Sequence, residues 1–290
     1  DLVFRVAPRI NAAGRMKHGN YAVTLLSETN AILVREYAAE IEQFNSDRRE
    51  TDKQITDEAL QQIKDDKEEE NMATIVFKDT WHKGVIGIVA SRLIETYYRP
   101  TIVFTKSGDF LAASARSISG FDIYNALESC SKYIEQFGGH KYAAGLTIKF
   151  ENYEAFKQAF ENEVSTTINL AYMTPEVKVD ASIGLTQVDQ KLWRILRQFA
   201  PFGPGNMSPI FMSDNLNDTG FGKCVGEDLK HLRMTLTQSG GIPIPGIGFN
   251  LGNKLNIISN YKLFKAIYSI DENYWKGNTT LQLKIKDIKS

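Results

Sequence analysis

The chain has 290 residues, a formal net charge of −1, 42% hydrophobic residues and 24% charged residues. This length exceeds the roughly 100–200 residues of a usual domain, so we expect two domains and a connecting segment. Two cysteines without a partner pattern, Cys130 and Cys224, are typical of reduced thiols in a cytoplasmic protein, and they exclude a disulfide framework. No apolar run approaches the roughly 18 residues of a membrane span, and no signal peptide is visible.

The first 70 residues predict a basic turn followed by two helices. The segment Arg9-Ile10-Asn11-Ala12-Ala13-Gly14-Arg15-Met16 has two arginines and almost no acid nearby, which suits an anion, although a turn facing solvent is the alternative. Residues 21–26 predict a short helix. A long helix of about 60 Å is predicted from Asn30, a good N-cap, to about Glu69. Its central residues 46–53 are polar, so we expect a helix that is solvated in its middle and bridges two domains.

Residues 72–168 predict an α/β domain in which helices cover a mixed sheet. The predicted strands and helices alternate along the chain. The strands are residues 74–77, 101–104 and 146–150, and the helices are residues 87–98, 123–137 and 153–171.

Two segments of this α/β domain contain candidate site residues. At a strand end, period-two alternation places Ser114 and Arg116 on one face, where a hydroxyl and a guanidinium can clamp a phosphate. The alternative is a surface ion pair. Gly138-Gly139-His140 combines glycines, which permit close approach of a ligand, with a proton carrier. Its alternative is a tight turn that His140 caps.

From residue 176 the sequence predicts a small barrel. Short strands at residues 176–181, 210–212, 232–236, 245–249, 262–270 and 281–285 are separated by Gly, Asn and Pro turns, with one helix at residues 190–199. Residues 175–290 contain 14 Lys or Arg against 10 Asp or Glu, a mildly basic balance. A domain with this excess of basic side chains could bind the phosphates of a nucleic-acid backbone.

A basic stretch with an interleaved aromatic residue predicts single-strand binding in this barrel, because single strands are held by cations and by stacking of their bases. The residues are Phe221, Lys223, Lys230, His231 and Arg233. Five further aromatic residues are either stacking candidates or barrel core: Tyr261, Phe264, Tyr268, Tyr274 and Trp275.

Taken in order, the motifs resemble the C-terminal half of the RecJ single-strand-specific DNA exonucleases of the DHH phosphoesterase superfamily. They are residues 7–16 (APRINAAGRM), 82–93 (HKGVIGIVASRL), 99–100 (RP), 114–117 (SARS), 138–140 (GGH) and 202–206 (FGPGN). The resemblance implies four segments along the chain. These are the end of an N-terminal DHH domain (1–28), a long connecting helix (29–70), a DHH-associated α/β domain (71–172) and an OB-fold-like single-strand-binding domain (173–290).

The resemblance also implies roles for individual residues. Arg15, Ser114 and Arg116 would surround the terminal 5′ phosphate of a DNA strand, with Asn11 and Gly139 as weaker candidates. His140 would be the catalytic residue of this chain and face the scissile phosphate. Family members hold two divalent ions, Mn²⁺ or Mg²⁺, in a domain with an Asp-His-His triplet, and this triplet is absent here. We therefore expect no metal in this chain, which begins at Asp1, and we expect a fragment that is inactive alone.

The implied activity is 5′-to-3′ hydrolysis of single-stranded DNA in repair and recombination. The implied partners are single-stranded DNA, a single-strand-binding protein and a helicase. Two alternatives stay open: a DHH-type phosphoesterase of short oligoribonucleotides, and a binding module without catalysis. The predicted barrel favours the exonuclease, because small oligonucleotide phosphatases of the superfamily usually stop soon after the Gly-Gly-His domain.

Overall fold

A computed structural model describes residues 2–259, 263–275 and 277–290, and it divides the chain into two compact units, residues 1–175 and 176–290. The helices are α1 Ala7–Met16, α2 Asn20–Ser27, α3 Ala31–Asp65, α4 Ile86–Tyr97, α5 Ile123–Ser129, α6 Tyr153–Thr167, α7 Gln190–Arg197 and α8 Leu255–Ile258. The strands are β1 Thr74–Phe77, β2 Thr101–Ser107, β3 Phe110–Arg116, β4 Gln136–His140, β5 Ala143–Lys149, β6 Ala181–Ser182, β7 Phe211–Asp218, β8 Lys223–Val225, β9 His231–Gln238, β10 Ile244–Gly248, β11 Phe264–Trp275 and β12 Asn278–Lys289.

The first unit is built around a five-stranded sheet with the order β1-β2-β3-β5-β4. The β1–β2 pair is parallel and the other neighbours are antiparallel, which confirms the predicted mixed sheet. One face packs against α5 and α6 through residues such as Ile102 and Ala115. The other face packs against α3 and α4 through Val76 and Val103. The predicted α/β layering is therefore confirmed.

The helix α3 is long, as predicted, and Asn30 caps it by accepting hydrogen bonds from the amides of Ile32 and Leu33. Its apolar ends pack into two different clusters, one with α1 and α2 and one with α4. The prediction of a solvated middle is wrong at Asp52, which is fully buried. A carboxylate can be buried there because Arg92, on α4, donates two hydrogen bonds to it at 2.7 and 2.8 Å.

Two other local predictions in this unit are wrong. Residues 9–16 are helical rather than a turn, since Pro8 can occupy the first turn of a helix and alanines favour its continuation. The helix predicted for residues 123–137 ends at Ser129, and residues 136–140 form β4 at the edge of the sheet. Pairing with β5 stabilises the glycine-rich segment as a strand, although its local sequence favours a turn.

The second unit is a seven-stranded sheet with the order β6-β7-β11-β12-β10-β9-β8, and a further β7–β9 pairing nearly closes it into a barrel. This confirms the predicted OB-like barrel. The strand predicted for residues 176–181 is wrong, because only Ala181 and Ser182 pair with β7. Within the described residues, no helix is long and apolar enough to cross a membrane.

Candidate phosphate-binding site

Ser114 and Arg116 lie on one face at the end of β3, as the alternation of the strand predicts. The guanidinium of Arg116 donates hydrogen bonds to Ser114 Oγ at 3.0 Å and to the carbonyl oxygen of Ala115 at 2.8 Å. Of the carboxylates in the described part of the chain, none pairs with Arg116, so the alternative of a surface ion pair is wrong. The side chain is half-buried and keeps further N–H donors for another acceptor.

The first turn of α4 adjoins this pair of side chains. A Cβ atom at Gly87 would lie 2.8 Å from Ser114 Oγ and 2.9 Å from a terminal nitrogen of Arg116. Only glycine therefore fits without displacing them. The start of α4 has no side-chain cap, and amides in the first turn of a helix are suited to bind an anion. Sequence analysis placed Gly87 only at the start of the helix predicted for residues 87–98 and did not single it out.

Arg15 approaches the same place from the last turn of α1. Its guanidinium donates to the carbonyl oxygen of Gly84, just before α4, at 3.2 Å. The backbones are also close there, because a Cβ atom on Gly84 would lie 2.0 Å from the carbonyl oxygen of Arg15. Asn11 lies one turn earlier on α1 and is exposed, so it shares a helix face with Arg15. A role for Asn11 stays a prediction.

The electrostatics of this cluster favour an anion. Burial of the Arg116 guanidinium, and then the nearby charge of Arg15, lower the pKa of Arg116. Both effects penalise the charged form of the side chain. A bound phosphate would supply the missing counter-charge, and arginine binds phosphate oxygens in a bidentate manner.

The sheet register brings His140 to the same face. Arg116 pairs with Ala143, and Ala143 pairs with His140, so the two candidate side chains flank Ala143. Two strand spacings place their Cα atoms roughly 10 Å apart. His140 is exposed, and its Nδ1 accepts a hydrogen bond from the amide of Tyr142 at 3.3 Å. The alternative of a histidine that caps the following turn therefore holds as well, and it leaves Nε2 directed to solvent or ligand.

The glycines near His140 have different roles. Gly139 has a φ of +152°, and a Cβ atom there would lie 2.3 Å from the carbonyl oxygen of Ala143. The local backbone conformation and the neighbouring strand therefore require glycine at position 139. Gly138 and Gly145 face each other across β4 and β5, beside Ser114 in β3. A Cβ atom at Gly138 would meet nothing within 4 Å, and at Gly145 only one atom, at 3.8 Å. They leave bare, exposed backbone next to Ser114.

The second unit presents the predicted barrel residues on one edge of its sheet. Lys223 and Arg233 are directly opposite each other on β8 and β9, and both are exposed. Phe221 is 80% exposed. His231 packs edge-to-face on Phe249 with ring centroids 5.2 Å apart, and Phe249 is 58% exposed. Sequence analysis missed Phe249, because only the β9–β10 pairing brings it beside His231.

The remaining barrel candidates have other surroundings. Lys230 pairs with Asp228 at 2.8 Å. Phe264 and Tyr268 are buried in the barrel core, so of their two alternatives the core position is confirmed; Tyr268 shares a hydrogen bond with Ser213. Tyr274 is exposed. Tyr261 and the side chain of Trp275 lie outside the described residues.

In the described part of the chain, no group of three or more His, Cys, Asp or Glu side chains could hold a metal ion. The donors gathered at this site are arginines, a serine and backbone amides, which suit an anion and do not fit a divalent cation. The binding of Mn²⁺ or Mg²⁺ elsewhere in a longer protein stays a prediction.

Comparison with known protein families assigns both units. Residues 52–166 match the DHHA1 domain, and residues 179–287 match the RecJ OB domain. The first match contains Ser114, Arg116 and His140, and the second contains the barrel edge.

Individual relatives give the same assignment. The chain is 31% identical over 288 residues to the single-stranded-DNA-specific exonuclease RecJ of Bacillus subtilis, covering 98% of this chain and 36% of that protein. It is 33% identical over 299 residues to the same exonuclease of Salmonella typhimurium, covering 99% of this chain and 51% of that protein. The chain thus spans about a third to a half of these curated relatives. The crystal structure of RecJ in complex with Mn²⁺ from Thermus thermophilus shares the fold, with a TM-score of 0.85 and 24% identity over 100% of this chain and 41% of that one.

Proposed function

The chain belongs to the RecJ family, as the portion with the DHHA1 and RecJ OB domains, and from this premise we propose that it holds the 5′ end of single-stranded DNA. The observation that carries the proposal is the half-buried guanidinium of Arg116, bonded to Ser114 beside the first turn of α4. A terminal phosphate there receives hydrogen bonds from Arg116, Ser114 and the helix amides. Arg15 adds a third cationic or polar side chain.

His140 is the residue of this chain that would act on the scissile phosphate. Because Nδ1 accepts from the amide of Tyr142, the proton of the neutral ring lies on Nε2. From there it can be donated to a phosphate oxygen, which stabilises the charge that develops during hydrolysis. Divalent ions, when bound by the rest of a longer protein, would supply the activated water and Lewis-acid assistance. Without them we propose that this chain binds DNA and does not cleave it.

The barrel edge would bind the strand beyond its end. Exposed cations on neighbouring strands attract the phosphates, and the rings of Phe221, His231 and Phe249 offer faces for bases to stack on. This supports 5′-to-3′ exonuclease action on single-stranded DNA in repair and recombination as the function of the whole protein. A single-strand-binding protein and a helicase are its proposed partners, and a cytoplasmic location its proposed compartment.

The test is fluorescence anisotropy of this chain with labelled single-stranded DNA that ends in a 5′ phosphate or a 5′ hydroxyl, across a salt series. A duplex and an RNA strand of the same sequence are the controls. We expect tighter, salt-sensitive binding of the phosphorylated single strand. Equal affinity for both 5′ ends would overturn the phosphate site, and preference for short RNA would favour an oligoribonucleotide phosphoesterase. Nucleotide release by this chain with added Mn²⁺ or Mg²⁺ would contradict the proposed inactivity.

A further inference from the structure

The loop between β7 and β8, residues 219–222, presents one aromatic side chain to solvent. Phe221 is 80% exposed and stands between Gly220 and Gly222. A single exposed apolar side chain is common on protein surfaces and needs no explanation by itself. What distinguishes Phe221 is that the backbone on both sides of it is held in place by a buried group.

The pairing of both flanking strands with β9 pushes this loop out of the sheet. β7 pairs with β9 as far as Asp218, opposite Leu236, and β8 pairs with β9 from Lys223, opposite Arg233. The four loop residues therefore span only two residues of β9. Extra residues on one strand of a pair are left out of the ladder and bend the chain. The position of Phe221 thus follows from strand pairing on either side of it.

The carboxylate of Asp218 fixes this loop. Its Oδ2 accepts hydrogen bonds from the amides of Gly220 at 2.7 Å and of Gly222 at 2.9 Å, the two neighbours of Phe221. Its Oδ1 accepts from the amide of Thr235 on β9 at 2.9 Å, so one group joins the loop to the sheet. Asp218 is only 7% exposed, and hydrogen bonds to a buried carboxylate are strong.

The two glycines fit this closely held loop. Gly220 has a φ of +93°, in the left-handed region that favours glycine. A Cβ atom at Gly222 would lie 2.6 Å from Ile258 Cδ1 and 3.2 Å from Asp218 Oδ2, so the base of the loop packs directly on the barrel. A ring that is already held in position loses little conformational entropy when a ligand stacks on it.

We propose that Asp218 is a positioning residue for DNA binding, which holds Phe221 ready to stack on a base without touching the strand itself. The inference rests on the proposed function, in which the barrel edge binds a single strand, and deepens it. Lys223 directly follows the loop, and its partner Arg233 is exposed as well, so phosphates and a base can be bound side by side. The charge of Asp218 is compensated by three backbone amides.

The test measures the affinity of the whole chain for a labelled single strand and for a strand of the same length whose sugars lack bases. The second probe keeps the phosphates but cannot stack. The variants are Asp218→Asn, Phe221→Ala and the two combined. Asp214→Asn is the matched control, because Asp214 is an exposed acid on the same strand and loses the same charge. Gly220→Ala strains the loop while leaving the carboxylate of Asp218 in place.

We expect Phe221→Ala to weaken binding of the strand with bases by about tenfold, and Asp218→Asn by about threefold to tenfold. Loss of an acid by itself favours a polyanion, so Asp214→Asn should bind equally well or slightly better. In the Phe221→Ala background, Asp218→Asn should have no further effect. Neither variant should lose affinity for the strand without bases.

Unchanged or tighter binding by Asp218→Asn overturns the proposal. A loss that persists in the Phe221→Ala background, or that is equal for the strand without bases, also overturns it, because it shows a merely structural role. If Asp218→Asn does not fold, Gly220→Ala decides by the same comparisons. If Phe221→Ala binds like the wild type, this inference fails while the 5′-phosphate site stands. If the wild type binds no single strand, the proposed function fails as well.

Discussion

The two candidate nucleic-acid surfaces differ in how their cations are held. In the α/β unit, Arg116 is half-buried and fixed by hydrogen bonds to Ser114 and a backbone carbonyl. At the barrel edge, Lys223 and Arg233 are exposed on adjacent strands. A fixed guanidinium suits one phosphate in one position, whereas exposed cations suit a backbone that moves past them. The comparison predicts that the first surface binds the terminal phosphate of a strand and that the second binds the backbone along the strand.

The largest effect is expected for Arg116→Ala. The variant loses hydrogen bonds to a charged ligand, so binding of a 5′-phosphorylated strand should weaken by roughly 10- to 100-fold, with little change for a 5′-hydroxyl strand. Anisotropy with both strands measures it. Arg233→Ala is the matched control in the barrel and should weaken both strands equally. Equal losses for the two strands in Arg116→Ala would remove the distinction between the surfaces.

Next in size is Phe249→Ala at the barrel edge. Loss of one stacking ring should cost about 1–3 kcal/mol of binding free energy per base, and this cost should not depend on the 5′ end. The measurement is anisotropy with the 5′-phosphorylated and the 5′-hydroxyl strand. Ile242→Ala removes an even more exposed apolar side chain from the same unit and should leave the affinity unchanged. If the two variants behave alike, Phe249 is not a stacking residue.

The two surfaces also differ in how far the sequence predicts them. The pairing of Ser114 with Arg116 follows from the period of a strand and is confirmed. The contribution of Gly87 depends on the packing of α4 against β3, and the burial of Asp52 depends on Arg92, 40 residues away. The edge-to-face contact of Phe249 with His231 likewise requires the β9–β10 pairing. Local patterns predict the elements of both units, whereas contacts between distant segments decide which side chains meet.

The same limit explains the open and the wrong local assignments. For Phe264 and Tyr268 the sequence leaves both stacking and core positions open, because it does not say which face of a barrel strand points inward. Residues 136–140 look like a turn because of two glycines, yet an edge strand needs only one partner, which β5 provides. In this second case pairing over many residues overrides the local preference.

A third prediction concerns acid stability of the α/β scaffold rather than its ligand. Hydrogen bonds from Lys78, Trp81 and Gln54 lower the pKa of Glu58 from 4.5 to about 2. Because the folded-state pKa lies below the unfolded one, this stabilisation is present above about pH 4.5 and is lost as the pH falls towards 2. Since Glu58 is 30% exposed, the loss should be on the order of 1–2 kcal/mol of unfolding free energy.

Urea unfolding at pH 7 and pH 3 measures this loss. Glu58→Gln cannot titrate, so its unfolding free energy should fall less between the two pH values than that of the wild type. The 5′-phosphate preference at pH 7 should be the same in both proteins, because Glu58 packs beside Trp81 and not at Arg116. An equal fall for the two proteins would mean that Glu58 does not contribute to acid sensitivity.

The smallest effect on stability is expected for Gly145→Val. This variant should also separate stability from binding most clearly. Glycine inside a strand costs roughly 0.5–1 kcal/mol, and a Cβ atom at position 145 would meet only the carbonyl oxygen of Ala113, at 3.8 Å. The variant should therefore be as stable as the wild type or slightly more stable in a thermal melt. Binding of the 5′-phosphorylated strand should nevertheless weaken, because valine would cover the bare backbone beside Ser114.

Thr147→Val is the matched control for this change. It places a valine on the same face of β5, two residues from Gly145, without adding bulk, and it should leave both the melting temperature and the binding unchanged. A strand glycine that neither its own conformation nor its neighbours require is best explained by a ligand that lies on it. If Gly145→Val binds the phosphorylated strand as well as Thr147→Val does, the strand takes another path from Arg116.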